Sequence, residues 1–537
     1  MTAAPRRFTV CPLRWAASLA LALAAGCVIA SAALAQDLTT PLGGEEQAEQ
    51  PRQLTGEDLQ RMLEEGEEAL KSEDWESALG TYDQLVRIFR QRLDTQVFLP
   101  IVYTGRGRAF GGLEELEAAL ADFKSALEQE PNHVPALVAR GDLYLNAGAT
   151  DLALADFQKA VENDRRNLEV LFGLGKAYVL LGGAQQAIKP LTYVILQDDQ
   201  NAEAFRLRSQ AYAGVAKYAE AHEDIDASLR LNPDDYETHF ALGALYLREE
   251  KFAESAQAIE DSIQRYVPKE EGSDEPFAQG YLTKAAVLIE LGKTSDDEAL
   301  KEQAYETALA DCDRLLELLG DSPIYASIRS ATEFRRGVAL RMLGQLGEAI
   351  NALTEALNIN PDLGEAYLRR GICFYHVGEN DLAVADFQQA AIIAYDDPRP
   401  RLWEGFAQAK AGNLYEAVRA YGQAIAQSDR YVPAYVNRGL TYMMLEDYQK
   451  AIEDFHEAIR LEPTVASHYF KRGLAYERLG DYQLAADSFA SAIKFDEKHA
   501  AAYRHAADAL SQLGRGELAG EYRSKAAELE AAASPRQ

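Results

Sequence analysis

Residues Val432 to Val465 read VPAYVNRGLTYMMLEDYQKAIEDFHEAIRLEPTV. Tyr435, Gly439 and Tyr442 recur at four- and three-residue intervals, and so do Ala451, Phe455 and Ala458. That is the period of a helix that buries one face. Glu446-Asp447 separates the two sets. Pro463 closes the second, because its nitrogen carries no hydrogen and its ring blocks continuation of the helix. The stretch predicts a helix, a tight turn and a second helix.

Laid along the chain, the stretch matches again and again. Units are expected at 59–92, 100–133, 134–167, 168–201, 202–235 and 236–269, then a stretched one at 278–322. Units of standard length resume at 330–363, 364–397, 398–431, 432–465 and 466–499, and a degenerate thirteenth covers 500–533. One first-helix register holds Gly66, Gly107, Gly141, Gly175, Gly243, Gly337, Gly371, Gly405, Gly439 and Gly473. A glycine inside a helix costs about 1 kcal/mol relative to alanine. Its recurrence implies a close approach that a Cβ would prevent. The small residue opening each second helix, Ala451 in the quoted unit, is expected across that contact.

The pattern resembles the tetratricopeptide repeat, whose signature over 34 residues is an aromatic, Leu-Gly, Tyr, then Ala, Phe and Pro. Arg438 stands where that signature has Leu. The resemblance covers 59–533. It implies an all-α, right-handed superhelical solenoid of about thirteen repeats. It also implies a concave wall built from first helices, in which positions 5, 6, 9, 12 and 13 of each unit face the groove. On this chain the fifth and ninth positions of units 8 to 12 are Phe334, Val338, Leu368, Ile372, Leu402, Phe406, Val436, Leu440, Phe470 and Leu474. Trp403 and Asn437 fall at sixth positions, and Met342, Met443 and Met444 at twelfth or thirteenth ones. Asn at that place serves family members as a hydrogen-bond partner for peptide backbone. Two readings stand for the stripe: a binding surface, since large exposed apolar patches mark such sites, or packing between neighbouring first helices. The same positions of units 2 to 6 are mixed and wetter: Thr104/Arg108, Val138/Asp142, Phe172/Lys176, Arg206/Gln210 and Phe240/Ala244.

Three irregularities interrupt the period. Leu93–Leu99 pads the junction after unit 1. Tyr266–Phe277 breaks the phase, and Gly292–Gln303 is expected to lengthen the turn inside unit 7. The break divides the array into 59–269 and 278–533 with a linker at 270–277, either a joint or a tolerated surface insertion.

The start of the chain is different material. Arg6, Arg7 and Arg14 precede an apolar run from Trp15 to Leu34, and Ala33-Leu34-Ala35 supplies small residues for cleavage before Gln36. Residues 1–35 are therefore expected to be a signal peptide, and the protein periplasmic or extracellular. Two rivals keep it on a membrane: lipidation at Cys27, or an uncut signal acting as an anchor. Residues 36–58, with Glu45, Glu46, Glu49, Pro41 and Pro51, form an acidic linker too poor in apolar residues to order itself.

The chain has 537 residues, 85 acidic against 54 basic, and a net charge of −31. That balance argues against nucleic acid, whose phosphates demand a basic face. It serves solubility, or a basic partner. Catalytic, nucleotide and metal motifs are missing: the eight histidines form no cluster at ligand spacing, and Gly105-Arg-Gly107 is no phosphate loop. No cofactor or metal and no catalysis are expected. Cys312 and Cys373 lie in units that are not neighbours and read as small buried apolar residues. The repeated Arg140, Arg208, Arg336, Arg370, Arg438 and Arg472 either bind anions or pair with second-helix acids such as Asp156, Asp386, Asp454 and Asp487. The expected function is an exported scaffold that holds a peptide or helix in its groove. The alternative is a membrane-tethered envelope assembly factor.

Overall fold

The computed structural model describes residues 55–91, 93–268 and 277–533. The signal at 1–35, with Cys27 and the cleavage point before Gln36, lies outside the described residues, as do most of the acidic linker and residues 270–276. Among the described residues every regular element is helical: 26 α-helices in thirteen successive pairs, and two short 3-10 helices. No helix among them is long and apolar enough to cross a membrane.

The unit at 432–465 folds as two helices, Val432–Met444 and Tyr448–Leu461. Tyr435 and Gly439 are buried from the first, and Ala451, Phe455 and Ala458 from the second. Glu446 turns the chain with a φ of 60°. Asp447 then starts the second helix by accepting a hydrogen bond from the backbone N–H of Lys450. Most other hairpins turn on a positive-φ residue at this place, usually glycine, as at Gly148, Gly182 and Gly412.

The glycine register has a different partner from the one its spacing suggests. A Cβ on Gly439 would lie 2.8 Å from Cε1 of Phe455. An aromatic ring reaches across the hairpin where an alanine methyl stops short. Gly107, Gly141, Gly371 and Gly473 meet Phe123, Phe157, Phe387 and Phe489 in the same way. At Gly243 and Gly337 the expected small residue is close too, through the backbone oxygen of Ser255 at 3.2 Å and of Ala349 at 3.3 Å.

The chain divides into two compact arms. One ends at Arg265 and holds units 1 to 6; the other begins at Tyr266 and holds units 7 to 13. In the first arm the opening helix runs Gly56–Lys71, so it begins before residue 59. Thr55 and Asp58 form a reciprocal capping box that satisfies its first N–H groups. Leu93–Phe98 is a 3-10 helix leading straight into the helix Leu99–Gly112.

In the second arm, unit 7 departs from expectation. Its extra residues lengthen the helices, not the turn: Ala278–Thr294 and Glu298–Leu319 are joined by three residues. Asp297 caps the second helix through the N–H groups of Ala299 and Leu300. Elsewhere the ion pair across a hairpin joins residues 16 apart; here Lys284 reaches Asp311, 27 apart, at 3.0 Å. The insertion winds into helix and keeps the pair in register. The terminal helix Gly516–Ala533 closes the array as a cap.

Candidate interaction site

Trp403 is the centre of an aromatic cluster formed by both helices of unit 9 and the first helix of unit 10. Its ring lies 5.6 Å from Tyr375, 6.1 Å from Phe387 and 5.3 Å from Phe406. The contacts with Tyr375 and Phe406 are edge-on and that with Phe387 is stacked, and together they hold the large ring in one orientation. Trp403 and Phe406 stay half-buried, so part of each faces solvent.

On the next unit, Val436, Asn437, Leu440, Met443 and Met444 share one face of the helix Val432–Met444, at the spacing of a single stripe. The opposite face, Ala434, Tyr435, Gly439 and Thr441, is buried in the array. Leu440 is 38% exposed and Met444 63% exposed. Val436, Asn437 and Met443 are half-buried, and Asn437 turns its amide back to Pro433 O at 2.7 Å.

Four residues expected on the wall belong to the core. Val338, Leu368, Ile372 and Leu402 are buried and cannot touch a partner. Leu368 and Ile372 pack with Phe387, and Trp403 lies over the same cluster. Phe334 is half-buried against the core of units 8 and 9. Phe470 and Leu474 are half-buried too, packed into the cap. Phe470 sits 4.6 Å from the ring of His499 and 5.6 Å from His505. These histidines are therefore not a bare surface pair: His499 caps its helix, and His505 bonds Glu477 at 3.0 Å. The most exposed of the expected wall residues, Leu440 and Met444, stand on unit 11, beside the half-buried Trp403 and Phe406 of unit 10.

Register also explains why the two arms differ. In several units of each arm, the residue at position 6 lies over a residue in the second helix of the preceding unit. Gly105 meets Tyr82, Gly173 meets Phe157, Trp403 stacks on Phe387, and His505 lies 5.6 Å from Phe489. In the first arm this position holds Gly105, Ala139, Gly173, Leu207 and Ala241. In the second it holds Arg335, Arg369, Trp403, Asn437, Lys471 and His505. The sequence carried this contrast, but only the packing shows what the position touches.

The recurrent arginines are structural. Arg140, Arg208, Arg370 and Arg438 grip Asp156, Asp224, Asp386 and Asp454 through paired bonds of 2.7–2.9 Å. Arg106 and Asp122 do the same. Those hydrogen bonds raise Arg106, Arg140, Arg208 and Arg370 above the usual guanidinium value. Two arginines break the pattern. Arg336 turns to Asp313 at 2.6 Å, because Ala352 occupies its own hairpin's acidic position. Arg472 meets Ser488 at 3.3 Å, and Asp487 is not its partner. Among the described residues no group of three or more His, Cys, Asp or Glu side chains is arranged to hold a metal ion.

Tetratricopeptide repeat models match residues 104–202, 206–270, 334–398, 432–465 and 466–499, together more than half of the chain. The human tetratricopeptide repeat protein 13 is 29% identical over 137 residues, which are 26% of this chain and 15% of that protein. A DnaJ homolog subfamily C member 7 homolog of Schizosaccharomyces pombe is 22% identical over 40% of this chain and 54% of its own length. A small glutamine-rich tetratricopeptide repeat-containing protein 2 of Mycosarcoma maydis is 33% identical over 25% of this chain and 38% of its own. The chain thus spans about half or less of these relatives. Among solved structures, MamA aligns over 32% of this chain and 94% of its own, at 26% identity and a TM-score of 0.30. A tetratricopeptide repeat protein from Parabacteroides merdae aligns over 52% and 99%, at 17% identity and 0.38. On its repeats, its paired helices and these family matches, the chain belongs to the tetratricopeptide repeat family.

Proposed function

We propose that the second arm is a non-enzymatic binding scaffold. Its site is the stripe formed by Trp403 and Phe406 on unit 10 and by Val436, Leu440, Met443 and Met444 on unit 11. The occupant is a peptide segment or helix with a bulky apolar anchor. One observation carries the reading. The helix Val432–Met444 buries one face in the array and turns a second apolar face, with Leu440 and Met444 well exposed, to solvent. An apolar helix face left in water marks a contact surface. Methionine suits it, because an unbranched thioether adapts to partners of varied shape.

Export before this function is exercised is part of the same proposal. It rests on the charged start, apolar run and small-residue site of residues 1–35. Mass measurement of the N-terminus after expression in the native cell tests it: a start at Gln36 is expected. A lipid on Cys27 or an intact signal instead supports a membrane-tethered assembly factor.

Peptide display against the chain from Gln36 tests the site. Enriched peptides are expected to share an apolar anchor and to lose binding to Leu440→Asp/Met444→Asp, whose thermal midpoint stays within about 2 °C of the parent. Unchanged binding to that variant overturns the site.

A further inference from the structure

The cations on the first helices are treated differently in the two arms. In the first arm the half-buried ones are matched by acids. Lys176 meets Glu203 at 2.9 Å, Arg206 meets Glu237 at 2.5 Å, and Arg108 stands 3.7 Å from Glu67. In the second arm Arg369 is matched by Glu365 at 2.7 Å.

Arg335, Arg341 and Lys471 are not matched. Among the described residues none of the three has a carboxylate within ion-pair distance. Arg335 donates only to Ala331 O, on its own helix, at 3.3 Å, and Arg341 only to Met342 Sδ at 3.2 Å. The Nε of each is buried without an acceptor. All three residues are half-buried. Burial lowers each below its ordinary value, and the nearby charge of Arg369 lowers Arg341 further. A cation taken partly out of water without a counter-charge destabilises its own fold. The chain has carboxylates to spare, at 85 against 54.

The three cations bracket the apolar stripe. Arg335 and Arg341 stand on unit 8, at groove-facing positions 6 and 12. The stripe occupies units 10 and 11, and Lys471 stands at position 6 of unit 12. We infer that the partner is an acidic segment: an apolar centre seated on Trp403, Leu440 and Met444, with a carboxylate toward Arg335 and Arg341 on one side and another toward Lys471 on the other. This inference rests on the binding stripe proposed above. It reverses what net charge suggests, because a chain at −31 would be matched with a basic partner. Four steps between first helices at about 10 Å each make about 40 Å. An extended peptide covers that in about twelve residues.

Three fluorescein-labelled peptides of that length test it on the chain from Gln36. They share one Leu/Phe centre and carry Glu, Gln or Lys on both flanks. By anisotropy, the Glu-flanked peptide is expected to bind at least about tenfold tighter than the Gln-flanked one. The gap closes as salt is raised. Arg341→Met/Lys471→Met brings the Glu-flanked peptide to the Gln-flanked affinity and leaves the latter unchanged. Arg341→Met alone raises the urea midpoint, since it removes an unmatched charge. Equal affinity of the Glu- and Gln-flanked peptides overturns the acidic partner and leaves the apolar site standing. Tightest binding of the Lys-flanked peptide overturns it in favour of a basic partner. Binding by none overturns both readings. A lowered urea midpoint for Arg341→Met removes the premise that this charge is unmatched.

Discussion

The guanidinium of Arg438 donates two hydrogen bonds to the carboxylate of Asp454, at 2.9 and 2.7 Å, across the hairpin of unit 11. The same pair joins the hairpins of units 2, 3, 5 and 9. Asp454 is 4% exposed, so removing its partner strands a buried charge. Arg438→Met is expected to destabilise by about 3–5 kcal/mol, while Arg438→Met/Asp454→Leu returns most of that loss. Arg472→Met, which leaves only Ser488 without its bond, costs about 1 kcal/mol. Urea midpoints of the three variants decide it. Equal losses for Arg438→Met and Arg472→Met would show that the buried carboxylate is not what matters.

Gly439 presents two opposed effects. Replacing a mid-helix glycine with alanine gains about 1 kcal/mol of helix propensity. The new methyl, however, would sit 2.8 Å from Cε1 and 3.1 Å from Cζ of Phe455, a ring with no solvent exposure. Overpacking a ring that cannot move away costs about 1–3 kcal/mol. The net expectation is a loss. It should shrink when the ring is shortened, so Gly439→Ala and Phe455→Leu are expected to show favourable coupling in a double-mutant cycle. Additive effects would mean that the ring does not set the glycine.

Glu446 holds a left-handed turn at φ 60°, as Glu73, Glu114, Ala216 and Glu250 do, where other hairpins use glycine. A side chain in that region costs about 1–2 kcal/mol. Its carboxylate is exposed, so little else is lost with it. Glu446→Gly is expected to stabilise by about 1 kcal/mol, read as a rise in the thermal midpoint.

The fold was legible because the register repeats. One glycine opposite one ring says little, but Gly107, Gly141, Gly371, Gly439 and Gly473 in phase leave few alternatives to stacked hairpins. Unit 7 departs from its sequence pattern for a physical reason. Its insertion has turn-like Gly292, Ser295 and two aspartates, yet Asp297 converts the last of these into a helix cap, and the rest winds into the flanking helices. The first-helix stripe was legible in direction only. Register tells which way Leu368, Ile372, Leu402 and Leu440 point along their helices. It does not tell how deep they lie. Trp403 covers the cluster holding Leu368 and Ile372, whereas Leu440 stays open. Depth depends on the side chain of the next unit, and a single-unit reading does not include it.

Cys312 and Cys373 are both free and buried, as expected of small apolar residues. Cys312 stands at the second-helix position that holds Phe387 and Phe455 in other units, with the half-buried Arg335 beside it. Burial pushes the Cys312 thiol up to about 12 and the Cys373 thiol up to about 11. Thiolate is the reactive form, and an unperturbed thiol titrates near 8.5. In the chain from Gln36, neither cysteine is expected to react with a thiol reagent at pH 8 until urea unfolds the array, when two react. The sign for stability follows. A folded value above the unfolded one leaves the thiols' contribution complete below about 8.5, and it declines as pH rises toward 11 and 12. The urea midpoint of Cys312→Ala/Cys373→Ala, though lower at pH 7, should therefore fall less than the parent's between pH 8 and 10. Labelling of either thiol in the folded chain at the rate of free cysteine would show that the second arm opens around it.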